Sequence, residues 1–278
     1  MSDLQQWLGR KVSSHDVITA SNVKRFNSTI GISNSDDESL NNGDAVPLGF
    51  HWCLCLPDNP MAELGIDGHP NKGGFLPPVP LPRRMWAASE VEFLADLTVG
   101  AEVTRESTIA SVKEKTGKTG ALVFVDVDHQ TFCENECAIK ETQTIVYREA
   151  TTKQTPLPDT GAGKPACWQA VSEILPTQHM LFRYSALTFN SHRIHYDLPY
   201  AQTQEMYPEL VVHAPLIATH ILQLAAAHQA VSKFSFRAMS AAFCNQTLTL
   251  AANFNDGAGE LAAIGADGRE CLTAKVNS

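Results

Sequence analysis

Asn190 and His195 stand five residues apart in the run Arg183-Tyr184-Ser185-Ala186-Leu187-Thr188-Phe189-Asn190-Ser191-His192-Arg193-Ile194-His195-Tyr196-Asp197. No other stretch gathers so many groups able to handle protons. An imidazole titrates near neutrality, so His195 is the natural general base or acid. Asn190 can orient a water or a carbonyl but cannot accept a proton. His192 adds a second imidazole and Arg193 a fixed positive charge. Asp197 reads most simply as the N-cap of a helix beginning Leu198-Pro199-Tyr200.

A second piece follows, Val211-Val212-His213-Ala214-Pro215, opening a long apolar helical pattern. Pro215 suits a first turn, where a missing N–H costs nothing. The first amides of a helix lack intrahelical partners and carry the positive end of its dipole. They can donate to an oxygen that gains charge in a transition state, and the small Ala214 lets a ligand approach the backbone. An ordinary buried helix end would look the same in isolation. Beside Asn190 and His195 the oxyanion-binding reading is favoured.

A third source of charge lies earlier. Residues 57–84 carry Pro57, Pro60, Pro70, Pro77, Pro78, Pro80 and Pro82 and the pair Gly73-Gly74, which excludes a normal helix. Loops this long in a compact domain are usually functional. This one ends in Arg83-Arg84-Met85-Trp86, two guanidinium groups beside an aromatic ring, suited to an anionic ligand.

These pieces need a scaffold, and the composition supplies one. The chain has 278 residues, 44% hydrophobic and 18% charged, enough for a sizeable core. Its net charge of −9 argues against a nucleic-acid surface, though not against a small phosphorylated ligand. No apolar run is long enough for a membrane span, and the first residues lack a signal-peptide pattern, so a soluble cytoplasmic protein is expected. The 7 cysteines, an odd number, are expected to be free thiols, with no zinc-type ligand pairing and no metal.

Along the chain, residues 3–10 and 15–32 read as helical segments capped by Asp3 and Ser14. Residues 33–45 read as a polar loop. Leu48–Leu56 reads as a strand holding Cys53-x-Cys55. Residues 101–114, 121–132 and 138–148 alternate as three antiparallel strands, joined by turns at 115–120 and at Cys133–Cys137. Residues 151–165 have no periodicity, and the chain divides into 1–152, a linker at 153–178, and 179–278. Residues 215–230 form a helix apolar nearly all round, which must be buried. Strands then follow at 233–243, 246–254, 258–265 and 270–276. The order suggests a duplicated unit whose first copy has lost its long helix.

The spacing Asn190-x4-His195 with Tyr200-Ala201, and the Val-His-Ala-Pro run opening a long helix, resembles the hydratase motif of the MaoC-like hotdog family. The runs 73–86 (GGFLPPVPLPRRMW) and 187–197 (LTFNSHRIHYD) resemble the double-hotdog branch that includes mesaconyl-C4-CoA and itaconyl-CoA hydratases. The resemblance covers nearly the whole chain. It implies an α+β double hotdog, with two antiparallel sheets each packing on a helix and a degenerate first copy. It also implies reversible addition of water to a double bond conjugated to a CoA thioester. In the family an Asp and a His five residues apart hold the water, and an amide at the helix entrance polarises the thioester. Here Asn190 stands at the Asp position and Ala214 at the usual glycine.

His195, Asn190 and Ala214 are therefore the expected catalytic residues. Arg193, His192, Arg83, Arg84, Tyr184, Tyr200, His213 and Pro215 are expected to meet the substrate, an arginine pairing with a second carboxylate. No cofactor is expected beyond the substrate's own coenzyme A, and a homodimer is the expected assembly. The remaining histidines, His15, His51, His69, His129, His179, His220 and His228, read as structural or surface groups. A dehydratase of acyl-carrier-bound hydroxyacyl chains, a non-catalytic acyl-CoA-binding hotdog and a thioesterase remain as alternatives.

Overall fold

The computed structural model describes residues 4–32, 40–117, 120–158 and 167–278. The Asp3 cap, residues 33–39 of the polar loop, the 118–119 turn tip and residues 159–166 of the linker lie outside them. The first segment differs from expectation. After a 3₁₀ turn at Leu4–Trp7, Lys11–Val17 is a strand (β1) and only Ala20–Ile30 is helical (α1). The cap is Thr19, whose side chain accepts from the Asn22 amide at 3.3 Å, while Ser14 lies inside β1. Gly31, at φ 78°, ends the helix in the left-handed conformation that glycine adopts freely.

The strand expected at Leu48–Leu56 is instead a 3₁₀ turn at Phe50–Cys53. Phe50, His51, Trp52 and Cys53 are all buried, and four consecutive buried side chains cannot sit on a strand with one solvated face. All seven cysteines are free. The proline loop holds only a short 3₁₀ turn at Met61–Glu63 before Arg83–Phe93 forms β2, so Arg83 and Arg84 begin a strand. The meander follows as β3 (Glu102–Gly117), β4 (Gly120–Cys133) and β5 (Glu136–Arg148).

The second unit begins earlier than the 153–178 linker allows, because Ala170–Ile174 is a strand (β6). Then come α2 (Gln178–Leu187), a 3₁₀ turn at Arg193–His195, α3 (Leu198–Thr203) and α4 (Ala214–Ala226). The chain ends in β7 (Lys233–Ala238), β8 (Leu248–Asn255), β9 (Ala258–Gly265) and β10 (Glu270–Asn277). Among the described residues all strands pair antiparallel in one 10-stranded sheet of order β1-β3-β4-β5-β2-β7-β10-β9-β8-β6. The order 1-3-4-5-2 is mirrored as 7-10-9-8-6, so each half is a five-stranded sheet of the same topology. The two half-sheets fuse edge to edge where β2 meets β7, from Ala88 opposite Arg237 to Glu92 opposite Lys233.

Inside this sheet lies α4, which presents Leu216, Ile217, Ala218, Ile221, Leu222 and Ala225 at 2% exposure or less. Each larger aliphatic among them contributes roughly 1.5–3 kcal/mol by leaving water. In the first half the corresponding place is held by the Phe50–Cys53 turn. Trp52 packs edge-on against Trp86 and Phe236 and donates Nε1–H to Glu141 at 3.0 Å. The double-hotdog expectation thus holds, with the first copy's helix reduced to a single turn.

Candidate active site

His195 closes the 3₁₀ turn that precedes α3, and its Nδ1 lies 2.7 Å from the Val211 carbonyl. A carbonyl can only accept, so Nδ1 carries the hydrogen and Nε2 keeps its lone pair. Burial pushes the His195 pKa down to about 4, against the opposing pull of that hydrogen bond. The ring is therefore neutral at physiological pH, the state a base requires. It stacks on His213 at 3.6 Å between centroids, and His213 in turn meets Ser185 Oγ at 2.9 Å. Burial also holds His213 well below the ordinary histidine value, with His195 adding to the shift.

Val211 is fixed from both sides. Its amide donates to Ile194 O, and Val212 N donates to Ala242 O. The chain that positions His195 therefore runs directly into the N-terminus of α4. There His213 is the cap, its carbonyl accepts from Ile217 N, and no side chain caps the first turn. Ala214 and Pro215 are half-buried. Asn190 follows Phe189, which stands at φ 47°. Asn190 Oδ1 accepts from the His192 amide at 3.0 Å, so its side-chain amide keeps its donors for another partner.

The other expected substrate contacts divide. Tyr184 is 1% exposed and lies edge-on to His213, so it supports that ring and does not face a ligand. Tyr200 is also buried, beneath the Arg193 guanidinium at 4.2 Å. Arg193 is taken by Asp197, at 2.7 and 2.9 Å, and by Ile66 O. Asp197 also caps α3 by accepting from Tyr200 N, as the sequence predicts. Arg83 is buried and paired with Glu205 at 2.8 Å. Two of the three arginines thus already hold carboxylates of the protein. Arg84 is half-buried, bonded to Pro70 O at 3.3 Å, and its charge acts on Asp67, His69 and His192.

Two residues that the sequence did not single out enter here. The proline loop lays Asp67-Gly68-His69 against residues 190–193. Arg193 N donates to Asp67 O at 2.9 Å, and Ser191 Oγ donates to Gly68 O. His69 lies 4.1 Å from His192 between ring centroids, and His192 lies 5.4 Å from His195. His69 therefore packs against the candidate site rather than standing on the surface. Only the loop's length hinted at a role, because nothing in sequence links residue 69 to residue 192. Asp67, His69 and His192 bring ligand atoms within 4.8 Å of one another, which the cysteine and histidine spacing does not foretell. A divalent cation fits this trio poorly, since Arg84 and Lys72 already place positive charge on it and Asp67 is engaged with His69 Nδ1.

A double hotdog with a buried, neutral histidine at the entrance of its long helix defines a class of thioester enzymes. The sequence model of the family described as hydroxyacyl-thioester dehydratase type 2 matches residues 49–244, and the chain belongs to that family. It is 38% identical to the mesaconyl-C4-CoA hydratase of Chloroflexus aurantiacus, over 99% of this chain and 98% of that protein. It is 28% identical to the mitochondrial hydroxyacyl-thioester dehydratase type 2 of Schizosaccharomyces pombe, over 73% of this chain and 76% of the other. Among solved structures, a MaoC-like dehydratase from Phytophthora capsici superimposes with a TM-score of 0.73 at 15% identity, covering 99% of this chain and 98% of that one. HtdX of Mycobacterium tuberculosis does so at 0.68 and 19%, covering 96% and 99%. The chain is a hydro-lyase of the MaoC-like type. Among the described residues no helix is long and apolar enough to cross a membrane.

Proposed function

We propose that the chain adds water reversibly to the double bond of a short, branched, dicarboxylic enoyl-CoA, mesaconyl-C4-CoA or itaconyl-CoA, giving citramalyl-CoA. The observation that carries this is His195, a neutral imidazole with its Nδ1 locked on Val211 O and its ring stacked on His213, the N-cap of α4. On mesaconyl-C4-CoA, whose double bond is conjugated to the thioester, Nε2 takes a proton from a water held by the Asn190 amide as the water oxygen bonds to Cβ. The π electrons move toward the thioester oxygen, where the Ala214 N–H and the helix dipole meet the developing charge. The proton on His195 then passes to Cα, and the base is regenerated.

Arg84 is the guanidinium we assign to the second carboxylate, because Arg83 and Arg193 are paired within the protein. No cofactor enters this scheme beyond the coenzyme A of the substrate. The test is loss of the conjugated-thioester absorbance on mesaconyl-C4-CoA and crotonyl-CoA, with formation of citramalyl-CoA from itaconyl-CoA, whose double bond is not conjugated to the thioester, followed by chromatography. Wild type should consume a branched dicarboxylic substrate, and His195→Ala should lose about 10²–10⁴-fold. Arg84→Gln should raise KM for the dicarboxylic substrate much more than for crotonyl-CoA; equal effects would remove that assignment. The family described above favours a second reading, dehydration of 3-hydroxyacyl thioesters. Preference for long, unbranched hydroxyacyl chains, with Arg84→Gln neutral, would establish it.

A further inference from the structure

Water addition at His195 leaves a transient positive charge on an imidazole. His69, His192, His195 and His213 form a nearly continuous train of rings, spaced 4.1, 5.4 and 3.6 Å between centroids. Burial lowers the proton affinity of all four. Each ring therefore resists the charge that the reaction must place among them. Among the described residues one carboxylate touches this train: Asp67 Oδ2, 3.1 Å from His69 Nδ1. Asn190, next to the rings, cannot carry a negative charge.

Asp67 is suited to the part. Burial raises its pKa, but the hydrogen bonds and charge of His69 and the charge of Arg84 outweigh this and hold the carboxyl below its usual value, so it is ionised. Its position is built. The backbones of residues 66, 67 and 68 are bonded to residues 191 and 193 through Ile66 O, Asp67 O and Gly68 O. Gly68 lies so close to the Ser191 carbonyl that a Cβ there would overlap it.

We propose that Asp67, acting through His69, is the carboxylate of this active site, stabilising the positive charge that the histidine train gains while His195 holds the proton of the attacking water. The inference rests on the hydratase reading above. Water loses a proton to His195 Nε2, its oxygen bonds to Cβ, and Cα later receives that proton. Asp67 and His69 undergo no net proton change and are positioning residues. Other charges facing the pair are Arg84 and Lys72, both of which lower the His69 affinity, and Glu205, which Arg83 neutralises. Tyr147 and Tyr200 also feel the Asp67 charge, which raises the pKa of both.

Asp67→Asn tests this cleanly. Asn keeps the Oδ1 that accepts from His69 N at 3.0 Å and leaves the backbone bonds untouched. The variant should lose about 10²-fold in kcat with little change in KM. The acid limb of its kcat profile should move to lower pH, because removing the carboxylate lowers the imidazoles' affinity for a proton. Asn190→Asp in the Asp67→Asn background should restore about tenfold or more, by returning a negative charge beside the same rings. His69→Gln, as a second variant, should match Asp67→Asn. NMR titration of the ring signals gives a readout independent of turnover, and Asp67→Asn should move the His195 transition to lower pH.

An unchanged kcat, or a lower kcat with an unmoved acid limb and an unmoved His195 transition, overturns the proposal. So does activity that is lost to a chelator and restored by zinc, which would make the trio a metal site. If wild type hydrates no thioester while the ring titration still moves, the hydratase reading fails and the electrostatic coupling stands. If wild type is active and His195→Ala is not, but Asp67→Asn is unaffected, this inference alone fails.

Discussion

The two halves share one strand order but fill the interval between their first two strands differently. In the second half that interval holds α2, the loop with Asn190 and His195, α3 and the buried α4. In the first half it holds α1, the Phe50–Cys53 turn and the long proline loop. Where the second half packs a 13-residue helix against its sheet, the first buries a four-residue turn anchored by Trp52. The proline loop that follows this turn crosses to the other half and places Asp67-Gly68-His69 on its loop. The comparison teaches that the halves contribute differently: the first offers no long-helix entrance of its own, and its loop instead packs against the 190–193 segment of the second.

The largest expected effect treats the halves alike. Burial lowers the pKa of His129 to about 3 and those of His195 and His220 to about 4, from 6.5. Below pH 6.5 the unfolded chain binds protons that these folded imidazoles refuse. Stability is therefore present above pH 6.5 and is lost as pH falls toward 4. At pH 5 each such group costs roughly 2 kcal/mol, so three together approach the whole stability of an ordinary domain. Calorimetric Tm should drop steeply between pH 7 and pH 5, in one transition because β2–β7 joins the half-sheets. A flat Tm would show that water reaches these rings, and two separated transitions would break the picture of one unit.

Next in size is Trp52→Ala. If the first half's turn were a mere remnant, truncation would be cheap. Instead Trp52 is 5% exposed, fills the space between Trp86 and Phe236, and donates to buried Glu141, which Ser89 also holds at 2.6 Å. Loss of an aromatic core residue costs about 3–5 kcal/mol, and the deserted carboxylate adds to it. Denaturant unfolding should show that loss, with Trp52→Phe retaining most of the packing. A change below about 1 kcal/mol would mean the turn is dispensable and the halves are less alike than their strands suggest.

How much of this was legible follows the same division. The meanders could be read because period-two alternation is local, and α4 because a helix apolar on all sides has no other home. Asp197 could be read as a cap from its immediate neighbours, and the run around His195 as the richest gathering of titratable groups. The Phe50–Cys53 turn could not, since four apolar or aromatic residues in a row fit a buried strand as well as a buried turn. The ion pairs of Arg83 and Arg193 were hidden for another reason: their partners, Glu205 and Asp197, are set by tertiary contact and by a local pairing that the cap reading obscured. The approach of Asp67 and His69 to residues 190–193 was invisible because the contact that brings them there spans more than 120 positions, Ser191 to Gly68.

That contact supplies the last and smallest change, Gly68→Ala. Gly68 sits at φ +88°, and an added Cβ would overlap the Ser191 carbonyl carbon and oxygen, backbone atoms that cannot swing aside. The loop must lift away from residues 191–193 or strain in place, at about 1–3 kcal/mol. Lifting it would take Asp67 and His69 off His192 while leaving His195 on Val211 O and the core around α4 intact. The expected result is therefore a modest fall in Tm with a larger fall in kcat, whereas Trp52→Ala should lower stability first and activity only through unfolding. A Gly68→Ala protein with normal kcat would show that the crossing loop serves adhesion between the halves alone. A kcat that falls together with a displaced acid limb, as for Asp67→Asn, would show that the first half's proline loop acts on the chemistry of the second.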